Sequence, residues 1–208
     1  MSSSSNSMYE QGRGAGESGI TLRGFPPVGA VGGDARPRFL VLGSFPSVLS
    51  LEKREYYANP RNHFWTVAAA CLGLPEPRDY SRKIAMLKEG GIALWDVFAS
   101  CERKGSLDKD IARASPNPIA EFLLQHPSIG AIGANGGAAS AALSAELGFP
   151  PEGRLARTGD HFFWSCPFAT ERFVHVFRLP STSPVPSSDY RTAADKVALW
   201  NEFFTIRM

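Results

Sequence analysis

One segment of this chain gathers more reactive residue types than a loop ordinarily holds. Gly43-Ser44-Phe45-Pro46-Ser47 is followed closely by Tyr56-Tyr57-Ala58-Asn59-Pro60-Arg61-Asn62-His63-Phe64-Trp65. The second run places four aromatics, two amides, an Arg and a His within ten residues. Aromatic faces stack on nucleobases, amides bond base edges or position water, and guanidinium groups pair with phosphate. Tyr57, Arg61 and Asn62 together are read as functional. Tyr56 and His63 fit a core role equally well, Phe64 and Trp65 open a helix, and Asn59 before Pro60 is a turn former. In the first run, Gly43 and Pro46 set a turn whose backbone N–H groups, with the Ser44 and Ser47 hydroxyls, can hold an anion or a polar ring. By itself that turn reads as an ordinary strand exit.

Three further places carry candidate chemistry. Asp96 ends the run Leu94-Trp95-Asp96-Val97; a buried carboxylate must be bonded to something, so it contacts a ligand, caps a turn or pairs with an Arg. Asn135-Gly136-Gly137 offers free N–H groups suited to phosphate, or is a plain tight turn. Leu179-Pro180-Ser181-Thr182-Ser183-Pro184-Val185-Pro186-Ser187-Ser188 is stiffened by its prolines and lined with hydroxyls. Such a loop can grip a nucleic-acid backbone without reading bases, or link to the last helix.

The elements that must position these residues follow from the apolar pattern. Residues 38–43, 91–97, 128–134 and 172–179 are short, nearly continuous apolar runs, as in parallel strands covered on both faces. Helix-like segments span 63–72, 81–89, 118–125, 137–147 and about 189–204, the last with Ala193, Val197, Trp200 and Phe204 on one face. The expected fold is α/β, three-layer α/β/α with a four-stranded parallel sheet. Segments leaving the carboxyl ends of such strands meet on one edge, and all four candidate places lie there.

Composition sets outer limits. A chain of 208 residues with 43% hydrophobic content can bury one substantial core. Residues 1–35, rich in Ser and Gly, are expected to be a flexible tail, and 36–208 the catalytic domain. The 22 basic and 20 acidic side chains leave a charge of +2, compatible with a nucleic-acid partner without arguing for one. Cys71, Cys101 and Cys166 lack the paired spacing of a zinc or iron–sulfur site and are expected to be free thiols. With no membrane span and no signal peptide, a soluble intracellular monomer, cytoplasmic or nuclear, is expected.

Taken in order, these pieces resemble the uracil-DNA glycosylase superfamily, and most of all its hypoxanthine-DNA glycosylase branch, over about residues 38 to 206. The two runs of the opening paragraph look like the family's first motif. Gly91 to Val97, with Ser100-Cys101-Glu102-Arg103 and Gly105-Ser106-Leu107-Asp108, looks like its second block, and Leu-Pro-Ser-Thr-Ser-Pro like its last. The resemblance implies removal of a deaminated base from DNA by hydrolysis of the N-glycosidic bond, with no metal and no cofactor. Asn62 takes the place of the branch's catalytic asparagine; Ser44, Phe45, Tyr57, Phe64 and Asp96 are expected to bind the base. Ser47, Arg61, Asn135, Gly136, Ser181, Thr182 and Ser183 are expected to contact DNA.

Asp96 stands where the uracil-specific enzymes carry a base-reading asparagine, and its carboxylate is expected to accept from N1–H of hypoxanthine. Ser44 and Phe45 replace an acidic or amide residue of relatives, and Leu179 replaces the His that several carry in the last motif. Ala134 stands where an aromatic is expected, and His175, inside an apolar strand, is read as structural. The first and last motifs contain no lysine for a Schiff base, and Lys104 reads as a loop charge, so the chemistry implied is monofunctional. The alternatives are a mismatch-type uracil or thymine glycosylase, and a non-catalytic nucleic-acid-binding module on the same scaffold.

Overall fold

A computed structural model describes residues 20–33, 35–103, 108–149, 155–167, 172–185 and 188–206. The four apolar runs form the parallel centre of the main sheet: β3 (Phe39–Gly43), β4 (Ile92–Asp96), β7 (Ala131–Asn135) and β9 (Phe173–Leu179). β3 and β4 are buried along their whole length, as unbroken apolar sequence requires of strands covered on both faces.

The sheet is wider than the four strands expected. Antiparallel edge strands β2 (Val28–Gly29) and β8 (His161–Ser165) extend it to the order β2-β4-β3-β7-β9-β8 among the described residues. β8 alternates between exposed and covered side chains, an edge-strand pattern that a search for continuous apolar runs passes over. A second sheet is formed by β1 (Thr21–Arg23), β5 (Phe98–Glu102) and β6 (Ala112–Pro116), in the order β1-β5-β6.

Two of these strands correct the expected tail. Residues 21–29 pair with β4 and β5, and the Trp95 indole donates to the Phe25 carbonyl at 2.9 Å. Residues 1–19 of the expected tail, with Lys104, Gly105, Ser106 and Leu107 of the second block, lie outside the described residues.

Helices cover both faces. α2 (Phe64–Cys71) and α6 (Ala193–Thr205) pack together, and Phe203 of α6 sits edge-on between Phe39 and Phe177 at 5.4 and 5.5 Å. α3 (Tyr80–Glu89) joins this layer against β4. On the opposite face Phe122 of α4 (Ile119–Gln125) meets Trp95, and α5 (Gly137–Glu146) leads to Phe149 against Phe162 and Trp164 of β8. α6 begins at 193 rather than 189, because Thr192 and Asp195 close a capping box there. A short helix not anticipated, α1 (Val48–Lys53), follows the first turn and is capped by Ser47, whose hydroxyl accepts from Ser50 N.

Candidate active site

All four central strands end on the edge where a cleft of about 440 Å³ opens. Its walls come from the turn after β3, the 56–62 loop, Asp96, Asp108, Asn135 and residues 181–185. Segments far apart in sequence therefore meet because parallel strands place their carboxyl ends together.

The 56–62 loop is held from behind. Trp65, buried in α2, donates through its indole to the Tyr56 carbonyl at 3.2 Å, and the Tyr56 hydroxyl donates to the Pro26 carbonyl at 3.3 Å. Tyr56 is thus 2% exposed and serves mainly as an anchor. Tyr57 adopts a left-handed φ of 51°, which costs a non-glycine residue energy and turns its side chain towards the cleft. Phe64 stacks on it at 4.2 Å. Burial pushes both phenols above the ordinary tyrosine range, and the Asp96 carboxyl adds to it. Both stay protonated at any working pH.

Asn62 lines the cleft. Its Oδ1 accepts from Phe64 N at 2.9 Å at the start of α2, which fixes the amide in one orientation. A carbonyl oxygen has a second lone pair, so this bond leaves capacity for a water. Asn59, also in the wall, accepts from Arg61 N at 3.0 Å in the same way, and Arg61 is exposed at the rim.

Asn135 is a clasp. Its Nδ2 donates to the Tyr57 hydroxyl and to Thr182 Oγ1, both at 2.8 Å, while its Oδ1 accepts from Thr182 N at 2.9 Å. It joins β7 to the aromatic plate and to the last loop. A second tie lies beneath: His63 N donates to the Thr182 carbonyl at 3.0 Å. Lys196 Nζ, buried in α6, donates to the carbonyls of Tyr190 and Thr192 and lies 3.1 Å from His63 Nδ1. Burial and then Lys196 hold the His63 imidazole below its usual range, with Asp195 opposing.

Asp96 is the outlying group electrostatically. It is 3% exposed and its Oδ2 makes no hydrogen bond among the described residues. Burial, then the Asp108 carboxylate, push its acid up to about 8, against a downward pull from Arg103. Asp108 reaches the cleft from the 3-10 turn after β5 and accepts from the Ser44 hydroxyl. Arg103 donates to the Pro46 carbonyl and lies over the Phe45 ring at 5.2 Å.

The expected site residues thus divide. Ser44, Phe45, Ser47, Tyr57, Arg61, Asn62, Asp96, Asn135, Ser181, Thr182 and Ser183 all line the cleft. Phe64 does not: it is wholly buried and backs Tyr57 instead of meeting a base. Gly136 is also off the wall, with a φ of 94° and Ser181 packed where a side chain would stand, so its role is to let two loops close. Thr182 is wholly buried, because the Asn135 clasp consumes its hydroxyl and N–H, which removes it and the Asn135 amide as ready DNA contacts. The Phe45 ring is 7% exposed among Leu51 and Cys101, which leaves its backbone as the part available to the cleft.

Ser50 and Asp108 are wall residues not assigned a role from the sequence; Asn59 was read only as a turn former, and Pro184 and Val185 come from the loop after the fourth apolar run. Asp108 sits in the second block, but nothing in the sequence says that β5 and β6 fold that block over the first turn.

A protein of Methanosarcina acetivorans named hypoxanthine DNA glycosylase is 36% identical to this chain over 115 residues, spanning 55% of this chain and 70% of that protein. Its namesake from Methanosarcina barkeri is 32% identical over the same shares. The chain belongs to the hypoxanthine DNA glycosylases of the uracil-DNA glycosylase superfamily. A solution NMR structure of a candidate uracil DNA glycosylase from Methanosarcina acetivorans matches this glycosylase fold with a TM-score of 0.63 at 28% identity, covering 88% of this chain and 96% of that one. No family model matches the chain.

The three-layer α/β/α architecture is that of this glycosylase superfamily. No helix among the described residues is long and apolar enough to cross a membrane.

Proposed function

We propose that this glycosylase is monofunctional and hydrolyses the N-glycosidic bond of hypoxanthine in DNA, with Asn62 positioning the attacking water. The observation that carries the reading is the convergence on one cleft, at the carboxyl edge of the sheet, of Asn62, Tyr57 and Asp96, whose Oδ2 has no hydrogen-bond partner among the described residues. The base leaves with the electron pair of its bond to C1′, the water oxygen bonds to C1′, and a water proton ends on the released base. An amide is a poor base, so Asn62 orients water and stabilises charge without abstracting a proton. Positive charge therefore develops on the sugar before water bonds to it.

To reach the cleft the nucleotide must leave the stack, at a cost lowest for a poorly paired base. Tyr57, held by Asn135 and backed by Phe64, is the plate against which the base rests. Val185, 53% exposed at the cleft rim, is the apolar wedge that fills the vacated stack. The Ser181 and Ser183 hydroxyls accept from Ser183 N and Val185 N, which stiffens the loop for phosphate contact, and Arg61 is a further exposed wall residue.

The test is release of free base from oligonucleotides containing deoxyinosine, deoxyuridine, deoxyxanthosine or a G·T mismatch. Hypoxanthine release that falls at least about a hundredfold in Asn62→Ala, with DNA affinity retained, is expected for loss of a positioned water. Preference for uracil or thymine opposite guanine would assign the mismatch activity instead, and no release from any substrate would leave only a binding module.

A further inference from the structure

Asp96 is the one ionisable side chain that is at once buried, in the cleft wall and short of a hydrogen-bond partner among the described residues. The groups facing it do not favour a carboxylate. β3 contributes Gly43, which has no side chain, and the 56–62 loop contributes Tyr56, whose hydroxyl is spent on the Pro26 carbonyl, and Tyr57, whose hydroxyl accepts from Asn135 and makes no hydrogen bond to the Asp96 side chain. The 3-10 turn contributes Asp108, a second carboxylate. Among the described residues Arg103, just past the end of β5, is the cation acting on it, but its Nη2 is bonded to the Pro46 carbonyl, the guanidinium lies over Phe45, and its Nε makes no hydrogen bond. The Asn117 amide, 2.9 Å away, bonds the Asp96 backbone carbonyl and not its side chain. A carboxylate left without donors in a buried site is held in its costlier form, whereas the neutral acid carries a proton it can itself donate.

We propose that Asp96 works as a carboxylic acid and not as a carboxylate: its O–H donates to the ring carbonyl oxygen of hypoxanthine while its C=O accepts from the adjacent ring N–H. This differs from the ionised acceptor expected from the sequence and rests on the glycosylase reading of the cleft. A carboxylate would satisfy the ring N–H but turn its second oxygen, bearing lone pairs, on the base's carbonyl oxygen. The acid matches both groups. It also acts on the reaction: as the C1′–N bond breaks, negative charge spreads from the ring nitrogen onto that carbonyl oxygen, where a fixed donor is worth most. Leu179, in the last motif, can supply no such donor. A carboxylic acid kept neutral by its surroundings so that it can donate is an established device of enzyme sites, and the upward displacement of Asp96 to about 8 is consistent with it.

The experiment compares single-turnover release of hypoxanthine by the full chain and by Asp96→Asn between about pH 5.5 and 9.5, a window bracketing the shifted acid. An amide offers one donor and one acceptor at every pH, so the ratio of wild-type to variant rate isolates ionisation of Asp96. Ionisation of the substrate's own N–H is common to both proteins and cancels. The ratio is expected to be level in acid and to fall about tenfold per pH unit once the pH passes the acid's midpoint. A ratio that rises into alkali, or one independent of pH, would overturn the neutral-acid role while leaving the glycosylase activity standing. Absence of release by the wild type at every pH would instead overturn the activity on which the role depends.

A measurement on the unreacted protein guards against a variant that fails to fold. In a ¹³C-carboxyl NMR titration of the wild type, one aspartate should titrate with a midpoint near 8. That midpoint should drop in Asp108→Asn, where the neighbouring negative charge is gone. If every aspartate titrates in the ordinary carboxylate range, the proposal fails.

Discussion

A Cβ placed on Gly43 would stand 2.3 Å from Asp96 Oδ1 and 3.2 Å from the Tyr57 hydroxyl. Gly43 and Asp96 are register partners at the ends of two parallel strands, so the absence of a side chain on one makes room for the carboxyl of the other. Gly43→Ala should therefore displace the Asp96 carboxyl and crowd Tyr57, with little effect elsewhere. Overpacking of this kind costs about 1–3 kcal/mol. The expected result is a modest fall in melting temperature and a loss of hypoxanthine release of about tenfold or more, since each 1.4 kcal/mol of lost transition-state stabilisation is about tenfold. Thermal melts and single-turnover rates on the same preparation check both.

Asp96 also ties fold stability to pH. Its acid is raised in the folded chain from 3.8 to about 8, so between those values the folded state holds a proton that the unfolded state releases. Stability is then greatest in acid and falls as pH rises through that window, by up to about 1.4 kcal/mol per unit from this group, before levelling above the folded value. Asp96→Asn removes the dependence. Urea unfolding at pH 5, 6, 7 and 8 should show the variant gaining on the wild type at each step, and parallel profiles for the two proteins would contradict the shift.

The central fold was legible because its four parallel strands are continuous apolar runs, and their ends located the candidate site. The residues at β2, β8 and the β1-β5-β6 sheet were not legible as strands. β2 is two residues long, β8 alternates, and β6 is largely exposed, so none offers a run of burial for a pattern to detect. In the site, Asn62, Tyr57 and Asp96 were visible from residue type and place. The division of labour around them was not. Asn135 and Thr182 look equally able to bind phosphate in sequence, and only their mutual bonds show them to be a clasp. His63 likewise gains its meaning from Lys196, which lies far along the chain in α6.

That Lys196 contact predicts a positioning effect at a distance. Nζ supplies donors to the Tyr190 and Thr192 carbonyls and meets His63 Nδ1, one residue from Asn62. Lys196→Met keeps most of the buried stem but leaves these acceptors without a partner, at a cost of about 1–3 kcal/mol for an unsatisfied buried group. The expected outcome is faster amide hydrogen exchange over residues 188–193 and at His63, whose N–H bonds the Thr182 carbonyl. Hypoxanthine release should slow while the central strands remain as protected as in the wild type. A uniform loss of protection across β3 and β7 would instead mark Lys196 as a general stability residue.

The wedge role proposed for Val185 predicts that extraction of the base can be separated from chemistry upon it. It is an exposed aliphatic side chain at the cleft rim, on a loop braced by the Ser181 and Ser183 turns and tied to Asn135 through Thr182. A wedge repays part of an unstacking cost of a few kcal/mol, so trimming it to Ala should forfeit about 1 kcal/mol on duplex substrate. In single-stranded DNA the base is already unpaired and there is no partner strand to hold open. Val185→Ala should therefore slow release from deoxyinosine in a duplex by about fivefold relative to its effect on the same sequence as a single strand. Equal losses on the two substrates would place Val185 among general DNA contacts, because a side chain that only touches the backbone has no reason to distinguish a paired base from a free one.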